Sequence, residues 1–279
     1  MQGKVVVVTG GTSGIGQVAA VKLAAMGARI VLVARDRARG EATLSKLRAA
    51  NQSARHAAHY ANLASIAETK GVAEKIAAAE PRIDVLINNA GAMFASRQVS
   101  ADRLELTFAT NHMAYWLMTH GLRRNLVASA PARIVSTASD AHKGNALDFA
   151  DLQSAKSYSA FRAYGRSKLA NILFTRALAK RCAGTGVTAN CLHPGFVATR
   201  FGDRSGGLLS LVIRAAKLAA ISPEKGAETI VYLASSPEVA TGSGGYYYEC
   251  KLAAPSGEAQ DDEAAERLWA ETKRLAGVT

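Results

Sequence analysis

The chain has few cysteines and no long apolar segment. Its three cysteines, Cys182, Cys191 and Cys250, are odd in number and widely spaced along 279 residues, which argues against a disulfide framework or a thiolate metal site. No apolar run approaches the roughly 20 residues that a membrane span requires. The apolar run at positions 5–8 leaves too short a lead for a signal peptide, so we expect a cytoplasmic protein without a membrane span.

The chain also lacks any long block of lysine and arginine, although its net charge is +12. The basic residues are scattered, and neither a zinc-finger spacing nor an aromatic–basic RNA motif is present, which argues against a nucleic-acid partner. Attraction to a phosphorylated small molecule is the simpler interpretation of the charge. No i, i+4 histidine pair flanks a glutamate and no G-x-S-x-G motif occurs, so we expect neither a metal site nor a serine hydrolase.

No proline- or glycine-rich linker, repeat or low-complexity segment divides the chain, which indicates one domain over residues 1–279. Strand-like apolar runs alternate with helical patterns, which predicts an α/β, Rossmann-type doubly wound parallel sheet with helices on both faces. About seven strands are predicted, at residues 4–9, 29–34, 55–60, 83–87, 133–137, 187–192 and 245–249. We expect residues 200–222 to form a substrate flap and residues 261–276 to form a packed surface helix.

A glycine-rich turn follows the first predicted strand and opens a helical pattern. Glycine permits a tight turn and lets the backbone approach a pyrophosphate, and the N–H groups of a helix start favour phosphates. The spacing is G-x-x-x-G-x-G rather than G-x-G-x-x-G, so the match rests on the strand–turn–helix context. The alternative is an ordinary strand-to-helix turn. The predicted cofactor contacts here are Gly10, Thr12, Ser13, Gly14, Ile15 and Gly16.

The end of the second predicted strand bears on the choice between NADP(H) and NAD(H). Sites that prefer NAD place a carboxylate near this point to bind the ribose 2′-hydroxyl. Here Ala34 occupies the predicted tip with Arg35 beside it, and the planar fork of an arginine binds a 2′-phosphate bidentately. We therefore expect NADP(H) to be preferred. Asp36 is the competing residue, which would serve NAD(H), unless it simply caps the next helix.

Tyr164 and Lys168 lie one turn apart in a predicted helix, so both side chains leave it on one face. A lysine ammonium there favours the phenolate, and we expect it, together with a nearby cationic nicotinamide and a dry site, to lower the tyrosine pKa toward neutrality for acid–base catalysis. The same spacing recurs at Tyr247 and Lys251, but in a predicted strand, where four residues span about 13 Å. We therefore assign the acid–base role to Tyr164 rather than reading it as a core tyrosine.

The order of these motifs resembles the short-chain dehydrogenase/reductase family. The residues that carry the resemblance are the glycine turn at 9–16, Asn88-Asn89-Ala90-Gly91, Asn111, Ser139, Tyr164 with Lys168, Pro194-Gly195 and Thr199. Further strings at 141–144, 167–171, 173–176, 184–188, 193–195 and 264–269 are similar to the retinol dehydrogenase-like branch. The resemblance implies NADP(H)-dependent hydride transfer between the nicotinamide and a hydrophobic aldehyde, ketone or alcohol. A non-catalytic NADP-sensing regulator and an epimerase or dehydratase of the same fold are the alternatives.

The resemblance also implies roles for the catalytic set. Ser139 would hydrogen-bond the substrate oxygen, with Ser136 and Thr137 as the competing hydroxyls. Lys168 would bind the nicotinamide ribose as well as act on the tyrosine. Asn111 would hold a water that relays protons to Lys168; the alternative is a buried amide that caps a neighbouring carbonyl.

The remaining cofactor contacts include one departure from the family pattern. Asn62 stands before Leu63 where the family usually has an aspartate against the adenine, which leaves a weaker candidate contact. The helices that carry Tyr115 and Tyr164 often form dimer faces in this family, so a homo-oligomer is expected. The implied contacts beyond the glycine turn and Arg35 are Asn62, Leu63, Asn89, Ala90, Gly91, Tyr164, Lys168, Pro194, Gly195, Val197 and Thr199.

Overall fold

The computed structural model describes residues 1–196 and 221–278. Its strands are β1 (Val5–Thr9), β2 (Arg29–Ala34), β3 (Ala57–Tyr60), β4 (Val85–Asn88), β5 (Ala132–Thr137), β6 (Val187–Leu192), β7 (Tyr246–Tyr248) and β8 (Lys251–Leu252). They form one sheet in the order β3-β2-β1-β4-β5-β6-β7-β8. All neighbours are parallel except β7 and β8. The doubly wound parallel sheet predicted from the alternating pattern is therefore confirmed.

The eighth strand was not predicted. It is only two residues long and pairs antiparallel with β7, after a turn in which Glu249 and Cys250 have φ values of 47° and 62°. Two residues are too few to show an alternating pattern, and neither turn residue is the glycine that usually marks a left-handed conformation. The turn therefore carried no signal in the sequence.

Both faces of the sheet are buried, which explains the continuous apolar runs of its strands. In β1, Val5 and Val7 belong to one core cluster while Val6 and Val8 belong to the other. Side chains alternate between the two faces of a strand, so each cluster lies under one helical layer. The helices are α1 (Gly14–Ala25), α2 (Arg37–Ala50), α3 (Ile66–Ala79), α4 (Leu106–Phe108), α5 (Ala114–Ala128), α6 (Ala160–Cys182), α7 (Pro223–Gly226), α8 (Glu228–Ser235) and α9 (Asp262–Leu275).

The helices divide between the two faces. Residues of α3, α5, α6 and α9 join the first cluster, and residues of α1, α2 and α8 join the second. A π-helical turn, Ala109–Met113, separates α4 from α5, and a 3-10 turn, Asp140–His142, follows β5. These two irregular turns both lie at the candidate site described below.

The helix expected at residues 261–276 is seen as α9. Asp261 caps it by accepting a hydrogen bond from the Ala264 N–H at 2.9 Å. Acidic residues occupy its first turn and basic residues its last, as the helix dipole favours. Trp269 stacks on Phe174 of α6, with ring centroids 5.8 Å apart, so α9 packs on the helix that carries the Tyr–Lys pair.

Two sequence expectations concern other parts of the chain. Within residues 1–196 and 221–278, no helix combines the length and apolar character needed to cross a membrane. Most of the proposed substrate flap, residues 200–220, lies outside the described residues.

Candidate active site

The candidate site lies at the carboxyl ends of the parallel strands. The strand order reverses between β1 and β4, since β1 leads outward to β2 and β3 whereas β4 leads to β5 and β6. Ligands of open α/β sheets bind in the crevice at such a reversal. The glycine turn follows β1, the Asn89 loop follows β4 and Ser139 follows β5, so the sheet brings these three segments together.

The glycine turn has a backbone that side chains would obstruct. Gly10 and Gly14 have φ values of 68° and 53°, in the left-handed region that favours glycine. A Cβ on Gly10 would lie 2.7 Å from the Ala90 Cα, and one on Gly16 would overlap the Asn89 amide. The turn therefore packs directly against the loop after β4, which explains why glycine is required at these positions.

The turn leads into α1 with its first N–H groups uncapped by a side chain. Ser13 occupies the N-cap position but makes no side-chain cap hydrogen bond. Thr12, Ser13, Gly14 and Ile15 are partly exposed, whereas Gly16 is buried. A helix start of this kind is suited to phosphate oxygens, because its free backbone donors and its partial positive charge would both face a bound phosphate.

The loop after β4 is held to the glycine turn by hydrogen bonds. The Thr9 hydroxyl accepts from the N–H groups of Asn89 at 2.9 Å and Ala90 at 3.2 Å. The Asn89 amide donates to the Gly10 carbonyl at 3.2 Å. A Cβ on Gly91 would lie 3.6 Å from the Lys168 Nζ, so this loop joins the nucleotide turn to the Tyr–Lys pair.

The residues after β2 bear on the choice between Arg35 and Asp36. Asp36 is the N-cap of α2 and accepts a hydrogen bond from the Arg39 N–H at 2.9 Å. Arg35 is exposed beside it. The Arg39 guanidinium also reaches the Thr12 carbonyl at 3.4 Å, a contact that sequence reasoning missed. Arg39 thus contacts the glycine turn, Arg35 is exposed after β2, and the Asp36 carboxylate caps α2.

The end of β3 places the adenine candidates at the same edge of the sheet. The Asn62 Oδ1 accepts from the Ala64 N–H at 3.2 Å, and the Asn62 N–H donates to the Glu68 carboxylate at 2.7 Å. Leu63 packs at the margin of the first core cluster. The Asn62 side chain therefore shapes its own turn in this structure, and the adenine contact stays a prediction.

Tyr164, Ser139 and Lys168 come together as the sequence predicts. The Lys168 Nζ lies 5.5 Å from the centre of the Tyr164 ring, and the Ser139 side chain hydrogen-bonds Tyr164. Lys168 is 2% exposed and its Nζ donates to the Thr137 carbonyl at 2.9 Å. The competing hydroxyls are elsewhere: the Thr137 hydroxyl donates to Asn89, and Ser136 is buried within β5.

The electrostatics of the pair differ from the expectation. Burial raises the pKa of Tyr164 to about 12, and the hydrogen bond from Ser139 acts in the opposite direction. Burial also lowers the pKa of Lys168 to about 7. Lys168 therefore does not bring the pKa of Tyr164 toward neutrality in the protein alone, because the lysine is itself desolvated and is only partly charged at neutral pH; acidification in the cofactor-bound site stays a prediction.

Asn111 lies in the π-helical turn between α4 and α5, fully buried. Its Oδ1 accepts from the Ala92 N–H at 2.8 Å, and its Nδ2 donates to the Ala92 carbonyl and the Ser167 hydroxyl, both at 2.9 Å. Its own carbonyl accepts from the Asn171 amide at 2.9 Å. This geometry favours the capping alternative, with Asn111 holding the loop after Gly91.

Of the four predicted cofactor contacts after β6, the structure describes Pro194 and Gly195. Gly195 follows β6 with φ of 83°, and its N–H donates to the His193 Nδ1 at 3.2 Å; Pro194 precedes it. Val197 and Thr199 lie outside the described residues. No group of three or more His, Cys, Asp or Glu side chains suited to a metal occurs in the part of the chain that the structure describes.

The second Tyr-x-x-x-Lys string adopts a different geometry from the one expected. Tyr247 lies in β7, but Lys251 lies in β8 after the turn, where it pairs with Tyr248. The two residues therefore sit on adjacent strands of a hairpin rather than along one strand. Neither one strand nor a hairpin places the lysine on the same helix face as the tyrosine. Tyr164 and Lys168 therefore remain the pair at the sheet crevice.

Comparison with known proteins identifies the family. A family profile described as short chain dehydrogenase matches residues 4–206. Retinol dehydrogenase 13 of Homo sapiens is 40% identical and aligns with 99% of this chain and 85% of its own. Retinol dehydrogenase 12 of Mus musculus is 40% identical, over 99% of this chain and 87% of its own. A short chain dehydrogenase from Burkholderia cenocepacia J2315, crystallised in complex with NADP, is 26% identical with a TM-score of 0.71, and the match covers 93% of this chain and 99% of that one.

The chain belongs to the short-chain dehydrogenase/reductase family and is an oxidoreductase that acts on CH–OH groups. Within the family it lies in the retinol dehydrogenase-like branch, which confirms the resemblance seen in the sequence motifs. Membership of this family also implies a nicotinamide cofactor.

Proposed function

We propose that this protein is an NADP(H)-dependent oxidoreductase that interconverts a hydrophobic aldehyde or ketone with the corresponding alcohol. The observation that carries the proposal is the hydrogen bond between Ser139 and Tyr164 beside the buried Lys168, next to the loop after β4 that packs on the glycine turn. This arrangement supplies two hydroxyl groups and one amine at the crevice where the sheet order reverses. The retinol dehydrogenase names of the relatives support an alcohol or carbonyl substrate of apolar character.

The residues present fit a dinucleotide. The positions of Gly10 and Gly16 leave no room for side chains, and α1 begins with donors that no side chain caps. Arg35 is exposed and Arg39 contacts the turn, which supports binding of a 2′-phosphate and hence NADP(H). Asp36 is engaged as an N-cap, which weakens the alternative of NAD(H).

The chemistry follows from the placement of the hydroxyl groups. When bound, the reduced nicotinamide supplies the hydride. Tyr164 donates the proton to the carbonyl oxygen, because a phenol with a pKa near 12 keeps its proton at neutral pH. Because the Ser139 hydroxyl is hydrogen-bonded to Tyr164, it can also reach the substrate carbonyl oxygen and stabilise the charge that develops there.

The oxidative direction needs the phenolate form of Tyr164. Protonated Lys168 favours that form electrostatically and the Ser139 hydroxyl favours it by hydrogen bonding. Because the pKa of Lys168 is about 7, the ammonium is available mainly at and below neutral pH in the protein alone. A pyridinium ring beside the pair would add a second positive charge when the oxidised cofactor is bound.

Apolar surface near the site supports a hydrophobic substrate. Phe161 lies three residues before Tyr164 in α6, and its side chain is 58% exposed. Phe196, which follows Pro194 and Gly195, is 56% exposed. Residues three apart on a helix share a face, so Phe161 lies on the Tyr164 side of α6. Both rings are large apolar groups on segments that carry candidate site residues, which supports a substrate of apolar character.

The test is consumption of NADPH, followed by its absorbance, against a panel of hydrophobic aldehydes, ketones and steroids. We expect turnover with at least one apolar carbonyl, a lower KM for NADPH than for NADH, and loss of turnover in Ser139→Ala without equal loss of NADPH affinity. Binding of NADPH without consumption by any carbonyl would favour the sensing regulator. Conversion of substrate without net change in a tightly bound cofactor would favour an epimerase or dehydratase.

The cytoplasmic location and the homo-oligomer remain predictions from the sequence. Fractionation of cells that express the full chain tests the first, with recovery in the membrane pellet as the contrary result. Sedimentation equilibrium tests the second, with a mass equal to the 29.2 kDa chain as the contrary result.

A further inference from the structure

One polar side chain next to the catalytic serine has no part in the proposed chemistry. His142 lies at the end of the 3-10 turn that Ser139 caps, and its relative exposure is 0%. Its neighbours Asp140 and Lys143 are exposed and pair with each other at 2.7 Å. A buried imidazole in an otherwise exposed turn must have hydrogen-bond partners that offset its desolvation.

Both ring nitrogens of His142 have such partners. The Nδ1 lies 2.7 Å from the Ser139 carbonyl oxygen, and the Nε2 lies 3.0 Å from the Ser256 backbone nitrogen. A peptide carbonyl can only accept and a peptide N–H can only donate. The Nδ1 must therefore carry the proton and the Nε2 must present its lone pair. Only the neutral ring in this one tautomer satisfies both contacts.

Burial favours the neutral form of the ring. It lowers the pKa of His142 and Lys143 adds to that effect, while the hydrogen bond to the Ser139 carbonyl and the charges of Asp140 and Glu258 oppose it. The ring also packs edge-on against Tyr246 of β7, with centroids 5.3 Å apart. The imidazole is thus fixed by an aromatic wall as well as by two hydrogen bonds.

These contacts hold the peptide group that follows Ser139. Its carbonyl oxygen receives a second donor, the backbone N–H of His142 at 3.2 Å. The Ser139 hydroxyl accepts from the Ala141 N–H at 3.2 Å within the same turn. Through the ring, this turn is tied to Ser256, which lies 114 residues further along the chain. Rotation of the Ser139 peptide would break both hydrogen bonds to its carbonyl, one from the imidazole Nδ1 and one from the His142 N–H.

We propose that His142 is a positioning residue that fixes the hydroxyl of Ser139 toward Tyr164 by donating from Nδ1 to the Ser139 carbonyl and anchoring that bond to the segment at Ser256. The inference rests on the proposed function, because it concerns the serine that contacts the substrate oxygen. A misplacement of about 1 Å in a catalytic group can lower turnover by about 100-fold, so the anchor has a measurable consequence.

Two isosteric substitutions separate the two hydrogen bonds. His142→Asn keeps a donor at the place of Nδ1, and His142→Gln keeps an acceptor at the place of Nε2. Both substitutions remove the contact of the ring with Tyr246. A difference between the two variants therefore reports the hydrogen bonds and not the lost packing. We expect His142→Gln to lower kcat by about 10-fold to 100-fold and His142→Asn to stay within about threefold of the parent, with the NADPH dissociation constant unchanged in both. Equal kcat values in the two variants, or loss of folded protein in both, would overturn the proposal.

A double-mutant cycle shows whether the effect passes through Ser139. Once Ser139→Ala has removed the hydroxyl, adding His142→Gln should change kcat by less than about twofold, because nothing remains to be positioned. A further fall equal to that seen in the parent background would mean that His142 acts on the fold alone, and would refute the positioning role. A parent without carbonyl reduction, or Ser139→Ala with parental kcat, would instead refute the proposed function and this inference with it.

Discussion

Burial of Lys168 should make the protein less stable than it would be with an apolar residue at that position. The side chain is 2% exposed, and its Nζ has the Thr137 carbonyl as a hydrogen-bond acceptor. Methionine has a similar length and no charge, so we expect Lys168→Met to abolish turnover while raising the free energy of unfolding at pH 6. Sites that serve catalysis at the expense of stability show this behaviour.

The magnitude follows from the pKa values. Lys168 titrates at about 7 in the folded protein and at 10.5 in its reference state, and each pKa unit corresponds to about 1.4 kcal/mol. The charged lysine therefore destabilises the fold by about 5 kcal/mol at pH 6. Lys168→Met removes this cost but also loses the hydrogen bond to the Thr137 carbonyl, which reduces the gain in stability by about 1 kcal/mol. Between pH 7 and 10.5 the unfolded chain binds more protons, so the stability of the parent rises with pH. The advantage of Lys168→Met should shrink by about 3 kcal/mol from pH 6 to pH 9.

Urea unfolding of both proteins at pH 6, 7.5 and 9 measures this difference. Lys180→Met is the matched control, since Lys180 lies on the same helix but is 54% exposed and pairs with Asp262 at 2.9 Å. Loss of that exposed pair should change stability little, without the same pH trend. A Lys168→Met protein that is less stable than the parent at pH 6, or a difference that does not vary with pH, would refute this reasoning.

Three further substitutions test the nucleotide site. Arg35→Ala should raise the KM for NADPH by about 10-fold or more, as loss of a charge-assisted hydrogen bond predicts, while the KM for NADH stays constant; an unchanged NADPH value would show that Arg35 does not bind the 2′-phosphate. Asp36→Ala should lower the free energy of unfolding by about 1 kcal/mol through loss of the α2 cap. The ratio of the KM values for NADPH and NADH should stay constant, and a change in that ratio would show that Asp36 also contacts the cofactor. Gly10→Ala should weaken NADPH binding and lower thermal stability, because its Cβ would approach the Ala90 Cα to 2.7 Å at a φ of 68°; parental binding would count against the turn.

The sequence predicted the sheet well because its strands are buried on both faces. A strand such as β1 reads as an unbroken run of valine, whichever face each residue serves. β8 was not predicted because a strand of two residues, here preceded by the left-handed residues Glu249 and Cys250, has no alternating pattern. Local rules therefore succeed for long buried elements and fail for short edge pairings that depend on a neighbouring strand.

Residue types and spacing also predicted which side chains meet, but not their electrostatics. The glycine turn, Ser139 and the Tyr164–Lys168 pair were identified without coordinates. The pKa of Lys168 depends on how deeply the folded chain buries it, which spacing along a helix does not encode. The contact between Arg39 and Thr12 was missed for a related reason, since it joins helix α2 to the glycine turn, and these segments meet only in the folded protein.

The most direct test of the proposed mechanism compares Tyr164→Phe with the parent in NADPH-dependent reduction of a hydrophobic aldehyde. The substitution removes one oxygen and leaves the ring beside Lys168 in place. We predict that kcat falls by at least about 100-fold, as loss of a general acid requires, while the dissociation constant for NADPH stays within about twofold of the parental value. Parental turnover by the phenylalanine variant would contradict the assignment of the proton donor and the mechanism built on it.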